Sequence, residues 1–498
     1  MKAMNRIVSA ALAGCGIFCA VAFTPSALAQ SGGAAGGQDK AVPLSSVERL
    51  NRAPVSKEIL KVKLPQASEH KLANGLTVLI LEQHKLPTIA LELDMEPGAI
   101  ADPSPGMAKF TAEMLREGTA KRNSSAIAAT ADDIGAQLSS EADFGGSDST
   151  VYIAGLTDST ETLFDLLSDI VMHPSFPAEE LEKYKKRELG DLEDEMSRPS
   201  FLANKEFHKS LYGDTNYAVT AATPEQIQAV TSEMLAEYHH KYYVPGNAVL
   251  GIVGDVNTAD VMKMVEKYFG EWPKTAPPAV KLAQVPPPQA KKVVLVDRPG
   301  SVQTNIVAGN LAIKRNDPDY FALTVMDRIV GGGPSARLFL NLREVHGYTY
   351  GAYSSLDTDV YRGYWNARTE VRTAVTDGSL HELFNEFNRI RTETVPAAEL
   401  DEAKRALVAS FALSLEDQLQ LLGDALEVHH YGLPADYWDK YPEHISGIDA
   451  AAVLAVGKKF VDVDHMQIIC VGDAKQIKDV LGKYGPVTEV AAPATQEK

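Results

Sequence analysis

Cysteine is scarce in this chain of 498 residues, and its scarcity excludes a fold stabilised by disulfides. Only three cysteines are present, and two of them, Cys15 and Cys19, lie within an apolar N-terminal segment. Removal of that segment would leave Cys470 alone, and a single cysteine cannot form an internal disulfide. The mature chain must therefore depend on hydrophobic cores, and it is too long for a single core.

A basic block and a long apolar run are also missing beyond the N-terminus. Acidic residues outnumber basic residues by 66 to 48, which gives a formal net charge of -18. An acidic chain of this kind binds nucleic acid poorly and is repelled by anionic lipid surfaces. Past Phe23 no stretch approaches the length of about 18 apolar residues that a membrane span needs. Composition therefore excludes a nucleic-acid-binding protein and predicts a mature chain without a membrane span.

The N-terminus has the pattern of a secretory signal peptide. Lys2 and Arg6 precede an apolar run from Ile7 to about Phe23, and the small residues of Ala27-Leu28-Ala29 follow. This order predicts cleavage after Ala29 and export, most simply to a bacterial periplasm. A membrane anchor fits less well because the run is short and interrupted by glycines. Leu12-Ala13-Gly14-Cys15 also matches a lipoprotein cleavage box, so lipidation of Cys15 stays an open alternative.

Composition divides the mature chain into two halves of similar length. A Gly/Ser/Gln-rich stretch follows the leader, and the proline-rich stretch Pro273–Pro288 is typical of a semi-rigid connection between domains. The predicted organisation is a signal peptide at 1–29, a flexible segment at 30–55, a first domain at 56–272, a linker at 273–290, a second domain at 291–486 and a tail at 487–498.

The two halves repeat one another in pattern. Each half closes with an apolar strand that ends in Gly-Asp and leads into a helix, at Asn247–Asp255 and again at Met466–Asp473. Near the front of each half a strand precedes a helix that ends in glycine; these pairs are Thr88–Glu96 with Met107–Glu117, and Asn305–Ala312 with Tyr320–Val330. A repeat this long indicates duplication, since solenoid units are much shorter. The pattern predicts an α+β fold of two homologous tandem halves, each a mostly antiparallel sheet with helices on one face.

Several motifs, taken in their order along the chain, resemble the pitrilysin/insulinase family of inverted-motif zinc peptidases. The resemblance covers about Lys71 to Gly485, and its pieces are Leu76-Thr-Val-Leu79, Pro105–Thr119, Ile134-Gly-Ala-Gln-Leu138, His173-Pro-Ser-Phe176, Tyr243-Val-Pro-Gly-Asn247 and Ser335–Arg343. It implies two α+β halves that form half of a clamshell. It also implies a pairing in which one chain is catalytic and the other is not.

The family's zinc motif, His-x-x-Glu-His, is absent from the helix that should carry it. In the resemblance, Lys109 stands at the first histidine, Ala112 at the catalytic glutamate and Glu113 at the second histidine. A lysine ammonium is not a metal ligand and alanine is not a base, so we expect no metal in this chain. We expect Lys109 and Glu113 to form an ordinary i,i+4 ion pair instead. The alternative is an unusual metal site formed by Glu113 with Glu188 or Asp191, which lie nearest the third-ligand position.

Other candidate metal and nucleotide motifs are incomplete. His381-Glu382 begins a second type of zinc motif, but Asn385 stands where the second histidine is needed. The pairs His239-His240 and His429-His430 are adjacent, so the two rings of a pair diverge on a helix, and we expect partly exposed surface residues. Gly331–Gly333 closes a helix rather than opening one, which predicts a helix cap and not a phosphate loop.

The second half keeps an arginine and a tyrosine to which the resemblance gives a role. In the family, an arginine and the tyrosine seven residues later reach the catalytic chamber and contact peptide near the scissile bond; here they are Arg343 and Tyr350. In paired members, these residues of the non-catalytic chain complete the site of the zinc-bearing partner. Arg343 and Tyr350 are therefore the predicted substrate-binding residues.

These observations favour one hypothesis for the function and leave two others open. The favoured reading is a periplasmic, non-catalytic subunit of a heterodimeric zinc metallopeptidase, which binds peptide beside the zinc of a homologous partner that carries His-x-x-Glu-His. The alternative is a stand-alone peptide-binding or scaffold protein that kept the fold and lost catalysis. An autonomous peptidase with the unusual carboxylate metal site is the third possibility.

Overall fold

The computed structural model describes residues 58–492 of the chain. The predicted leader, the cleavage site after Ala29, Cys15 and the segment at 30–55 lie outside the described residues, as do residues 493–498 of the predicted tail. No helix among residues 58–492 combines the length and apolarity needed to cross a bilayer.

The described residues form two six-stranded sheets with helices. The strands are β1 Ser68–Lys71, β2 Thr77–Glu82, β3 Thr88–Met95, β4 Gln137–Glu141, β5 Ser149–Leu156, β6 Ala248–Gly254, β7 Lys292–Asp297, β8 Gln303–Leu311, β9 Thr349–Asp357, β10 Tyr364–Arg372, β11 Gln467–Gly472 and β12 Val487–Ala491. The helices are α1 Met107–Met114, α2 Ser124–Asp133, α3 Thr160–Met172, α4 Ala178–Ser197, α5 Pro199–Tyr212, α6 Pro224–Ala229, α7 Ser232–Tyr242, α8 Thr258–Phe269, α9 Tyr320–Val330, α10 Arg337–Phe339, α11 Thr376–Thr392, α12 Ala397–Ser414, α13 Gln418–His430, α14 Tyr441–Gly447, α15 Ala450–Phe460 and α16 Ala474–Leu481.

The two sheets have the same order of strands apart from one edge. The first sheet has the order β1-β2-β6-β3-β5-β4, and the second has the order β12-β7-β11-β8-β10-β9. In the first sheet only β2 and β6 are parallel, and in the second β7 is parallel to both β11 and β12. The predicted α+β fold of two homologous, mostly antiparallel halves is therefore confirmed.

One edge strand comes from a segment that the sequence pattern assigns to the tail. Residues Val487–Ala491 form β12, which runs parallel to β7 at the edge of the second sheet. Val487 packs against the second core, and Val490 packs against the opposite face of the same sheet. This short strand has too few apolar residues to show an alternation in the sequence, and its position depends on β7.

Apolar alternation along the strands explains where each core lies. On β3, Leu91, Leu93 and Met95 point into the first core, whereas Glu92 and Asp94 point to the other face. Helices α1, α3, α7 and α8 cover the core face of the first sheet. Helices α9, α11, α12 and α15 cover the corresponding face of the second sheet. Each half therefore has its own apolar core, as the length of the chain requires.

Each half also contributes one helix to the opposite face of the other half's sheet. Phe207 of α5, which belongs to the first half, is buried with Val307 and Ile469 of the second sheet. Leu422 and Leu426 of α13, which belongs to the second half, are buried on the first sheet. This exchange gives the central strands two apolar faces, which is why β6 and β11 are buried along nearly their whole length.

Candidate functional site

Helix α1 is the helix onto which the resemblance places the zinc motif. Its N-cap, Gly106, has a φ of 95°, and a Cβ there would lie 2.9 Å from the Phe110 ring, so glycine is required. The Asp102 carboxylate accepts hydrogen bonds from the backbone N–H groups of Gly106 and Ala108, each at 3.0 Å. Burial raises the pKa of Asp102 to about 7, against the effect of these hydrogen bonds. The buried Asp102 carboxylate therefore caps and stabilises the start of α1.

Lys109 pairs with a residue of α4 and not with Glu113, so the predicted i,i+4 pair is wrong. Its Nζ lies 2.6 Å from Glu188 Oε2 and 3.2 Å from the Tyr184 hydroxyl. The Lys109 side chain is 26% exposed and that of Glu188 is 13% exposed. A carboxylate this far from water needs a charged partner, and α4 packs close enough to α1 for the lysine to supply it.

Two aromatic rings complete the surroundings of the Lys109 ammonium. Nζ lies 5.8 Å from the centre of the Phe144 ring and 5.7 Å from that of Tyr184, which are cation–π distances. Tyr184 and Glu188 are four residues apart and share one face of α4. From the sequence, this spacing is the feature that could have placed Tyr184 beside Glu188. No local pattern identifies Phe144, because it lies in a loop between β4 and β5.

Glu113 is paired within its own helical segment. Its carboxylate lies 2.8 Å from Nη2 of Arg116, and Arg116 Nε donates to Ser140 Oγ at 2.9 Å. The Ser140 hydroxyl in turn donates to the carbonyl of Ala112. This chain of contacts joins α1 to the edge strand β4.

These residues do not fit the zinc that the resemblance implies. Ala112 is fully buried in the first core and carries no group that could act as a base. Glu113 and Glu188 are each neutralised by a cation, and Asp191 lies exposed on α4. Within residues 58–492 no group of three or more His, Cys, Asp or Glu side chains is arranged to hold a metal ion. At the positions of the zinc motif, Lys109 and Glu113 therefore each form an ion pair with a separate residue, and Ala112 has no polar side-chain group.

The histidines singled out in the sequence have other contacts. His239 hydrogen bonds to the carbonyl of Val171 at 2.7 Å, and burial lowers its pKa to about 4. His429 is exposed, but the ring of His430 contacts Glu96 in the first half. His239 and His430 are half-buried and His240 and His429 are exposed, as expected for partly exposed residues. Tertiary packing gives His239 and His430 the hydrogen-bond partners that the sequence did not indicate.

Arg343 and Tyr350 lie on a turn and a strand at the surface of the second half. Arg343 belongs to a π-helical turn, Leu340–Val345, and Tyr350 is the second residue of β9. The Arg343 side chain is 46% exposed; its guanidinium lies 4.8 Å from the centre of the Phe339 ring and 3.5 Å from Glu344. Tyr350 is 89% exposed. Their role in binding substrate stays a prediction.

Exposed apolar side chains lie on the same turn as Arg343. Leu340 and Val345 are at the two ends of that turn, and both are exposed. Periodicity did not indicate either the π-helical turn or this apolar surface. π-helical turns are rare and occur often at functional sites, and exposed apolar groups in one region are typical of binding surfaces.

Two family models match consecutive parts of the chain. Residues 77–225 match insulinase (peptidase family M16), and residues 229–407 match the peptidase M16 inactive domain. Together the two matches begin in the first sheet and end within α12 of the second half.

Similarity to individual relatives extends over most of the chain. It is 26% identical over 322 residues to an uncharacterized zinc protease of Mycobacterium leprae, covering 63% of this chain and 70% of that protein. It is 23% identical over 354 residues to the uncharacterized zinc protease YmxG of Bacillus subtilis, covering 69% and 83%. A protease structure from Helicobacter pylori, 16% identical, has a TM-score of 0.77 over 82% of this chain and 100% of that chain, and it shares the fold.

A more similar solved structure supports a closer relation. The crystal structure of a peptidase M16 inactive domain from Pseudomonas fluorescens has a TM-score of 0.77 and 30% identity, over 82% of this chain and 98% of that chain. The matching family models and the duplicated sheet order agree with this likeness. The chain belongs to the pitrilysin/insulinase family, peptidase family M16.

Proposed function

We propose that this chain is the non-catalytic, substrate-binding subunit of a periplasmic heterodimeric zinc metallopeptidase that cleaves peptides. The observation that carries the proposal is the exposure of Tyr350, which leaves 89% of a large aromatic side chain in solvent beside Arg343. An aromatic ring and a guanidinium held at the surface are typical of residues that contact a partner or a ligand.

The contrast between the two halves supports a binding role without catalysis. In the first half, Lys109, Ala112 and Glu113 supply neither metal ligands nor a base. In the second half, the Arg343 guanidinium can fork onto a peptide carbonyl or carboxylate, and the Tyr350 hydroxyl can donate to a developing oxyanion. The zinc and the base would then come from a homologous partner that carries His-x-x-Glu-His. Each chain would form half of a clamshell around the peptide.

Purification of the native protein from its own cells tests the assembly. We expect a homologous chain with His-x-x-Glu-His to copurify in a 1:1 ratio from a periplasmic extract, identified by mass spectrometry. Recovery of the chain alone would contradict the heterodimer and favour the stand-alone peptide-binding protein. The mass of the N-terminal peptide from the same sample distinguishes cleavage after Ala29 from lipidation of Cys15.

Substitution in the reconstituted pair tests the two residues. Combining Arg343→Ala with Tyr350→Phe should lower kcat/KM for peptide cleavage by about 100-fold or more, the order expected for loss of an oxyanion donor. Tyr353→Phe, which removes a hydroxyl from the same strand, is the matched control and should cleave normally. Thermal unfolding of this chain should be unchanged by either substitution because Arg343 and Tyr350 make few packing contacts. An unchanged cleavage rate in the double variant would overturn the assigned role.

A further inference from the structure

Four polar side chains form a continuous chain across the boundary between the halves. Glu96 Oε1 lies 2.8 Å from His430 Nδ1, and His430 Nε2 lies 3.1 Å from Ser147 Oγ. Ser147 Oγ donates to Asp359 Oδ1 at 2.5 Å. Glu96 and Ser147 belong to the first half, at the end of β3 and in the loop 142–148. His430 ends α13, and Asp359 lies between β9 and β10 in the second half.

The directions of these hydrogen bonds agree only if His430 carries a positive charge. The imidazolium donates from both ring nitrogens, to Glu96 and to Ser147, and the Ser147 hydroxyl then donates to Asp359. Burial lowers the pKa of His430. The hydrogen bond to Glu96 and the charges of Asp148, Glu96 and Asp359 outweigh that effect and raise the pKa to about 9. At neutral pH every donor among these four side chains therefore has an acceptor.

The same residue types occur in nucleophilic hydrolases, but their arrangement here serves a different purpose. In such enzymes a neutral histidine accepts the serine proton. Here the histidine is cationic and donates to the serine, and Ser147 is 3% exposed, so no substrate reaches its hydroxyl. These polar contacts therefore connect the two halves, and Ser147 does not act as a nucleophile.

Further contacts hold the same loop against the second half. The Tyr361 hydroxyl donates to the carbonyl of Gly145 at 2.9 Å, and the Tyr361 ring stacks on Tyr217 with centres 3.9 Å apart. The loop also carries Phe144, whose ring lies over the Lys109 ammonium. Contacts at the boundary therefore extend through one short loop to the altered zinc position.

We propose that the chain from Glu96 through His430 and Ser147 to Asp359 is a charge-dependent latch that fastens the loop 142–148 to the second half. With the latch closed, Phe144 is held over Lys109. Loss of the His430 charge removes a donor to Ser147 and removes the attraction between His430 and the carboxylates of Glu96, Asp148 and Asp359. The latch then opens and the loop becomes mobile.

Hydrogen exchange in the full chain at pH 7 tests the latch. In His430→Asn and in Ser147→Ala, amides of residues 142–148 and 358–363 should exchange about tenfold faster or more, since each change removes a hydrogen bond that joins the loop to the second half. His429→Asn, on the exposed neighbour, is the matched control and should exchange like the native chain. Ser147→Ala removes one hydroxyl only, so it reports on the latch even if His430→Asn folds poorly. Unchanged exchange at both segments in Ser147→Ala would overturn the proposal.

The pH dependence of unfolding provides a second test. Because the folded pKa of His430 lies above its ordinary value of 6.5, its stabilising effect is complete below that pH and is lost as the pH rises through about 9. The difference in Tm between the native chain and His430→Asn should therefore shrink across this range. A difference that stays constant from pH 6 to pH 10 would contradict a latch that depends on charge.

Discussion

In the first half, the polar side chains on the helix after β3 are neutralised by their neighbours, whereas in the second half an arginine and a tyrosine face solvent. Lys109 and Glu113 are tied to Glu188 and Arg116. Both halves nevertheless keep the same order of five strands. This fold therefore depends on its buried faces, because polar positions on the helix can change without altering the sheet beneath.

The largest effect on stability is expected from removal of a side chain that one half buries against the sheet of the other. Phe207→Ala should lower the free energy of unfolding by about 3–5 kcal/mol, and Leu426→Ala by about 2–5 kcal/mol, because each leaves a cavity on the opposite half's sheet. Urea unfolding should show one transition for both halves in either variant. The exposed Leu413→Ala should have no measurable effect. Two separate transitions, with only one of them shifted, would show that the halves are independent.

Titration of a buried carboxyl group in the second half should have a smaller effect on the free energy of unfolding, and this effect depends on pH. Asp327 accepts hydrogen bonds from Ser354 and the Trp365 indole, and burial raises its pKa to about 6. Because this value lies above the unfolded value of 3.8, the folded protein retains a proton that the unfolded chain loses. The stabilisation that this bound proton contributes is complete below about pH 4. The free energy of unfolding then falls by about 3 kcal/mol as the pH rises to about 6.

Asp327→Asn keeps the acceptor and removes the titration, so its free energy of unfolding should fall less between pH 4 and pH 6 than that of the native chain, by the part due to Asp327. The exposed Asp401→Asn is the control and should retain it. Chemical unfolding at pH values between 4 and 7 measures both variants. In the first half, Asp102 creates the corresponding window, up to about pH 7. If the native chain and Asp327→Asn lose stability in parallel, titration of this group is not the cause.

The smallest expected effect concerns the ion pair that lies at the altered zinc motif. Lys109→Met should lower the free energy of unfolding by about 1–3 kcal/mol because it leaves the Glu188 carboxylate without its partner. Adding Glu188→Gln should restore part of that loss, since no charge then remains unpaired. Lys183→Met, which breaks an exposed pair on the same helix α4, should cause no measurable change. Equal losses for Lys109→Met and Lys183→Met would mean that the pair at Lys109 is an ordinary surface pair.

Much of the fold could be predicted from periodicity, and the exceptions have a common cause. The strand predicted at Thr88–Glu96 is observed at Thr88–Met95, and the helix predicted at Tyr320–Val330 has those bounds. In both, most of the apolar side chains face one core, so the local pattern carries the information. The strand Val487–Ala491 and the π-helical turn at Arg343 were not predictable, because neighbouring elements hold them in place.

The same limit applies to the candidate site. Motif position identified Lys109, Ala112 and Glu113 as the altered zinc positions, and it left Glu188 and Asp191 as alternatives nearest the third-ligand position. Helical spacing then predicted the wrong partner for Lys109, because the i,i+4 rule considers a single helix. The carboxylate it contacts is on α4, where burial makes an unpaired charge more costly than a missed surface pair on α1.

The α+β class, the duplicated order of elements and the chemical groups at the zinc-motif positions follow from the sequence without the structure. These properties depend on residue type and on local apolar spacing. Tertiary structure alone decided which groups meet: Lys109 with Glu188, 79 residues away, and Ser147 with His430, 283 residues away. The physical reason is that such pairs form where packed helices and strands bring side chains together, and the choice of partner depends on burial rather than on distance along the chain.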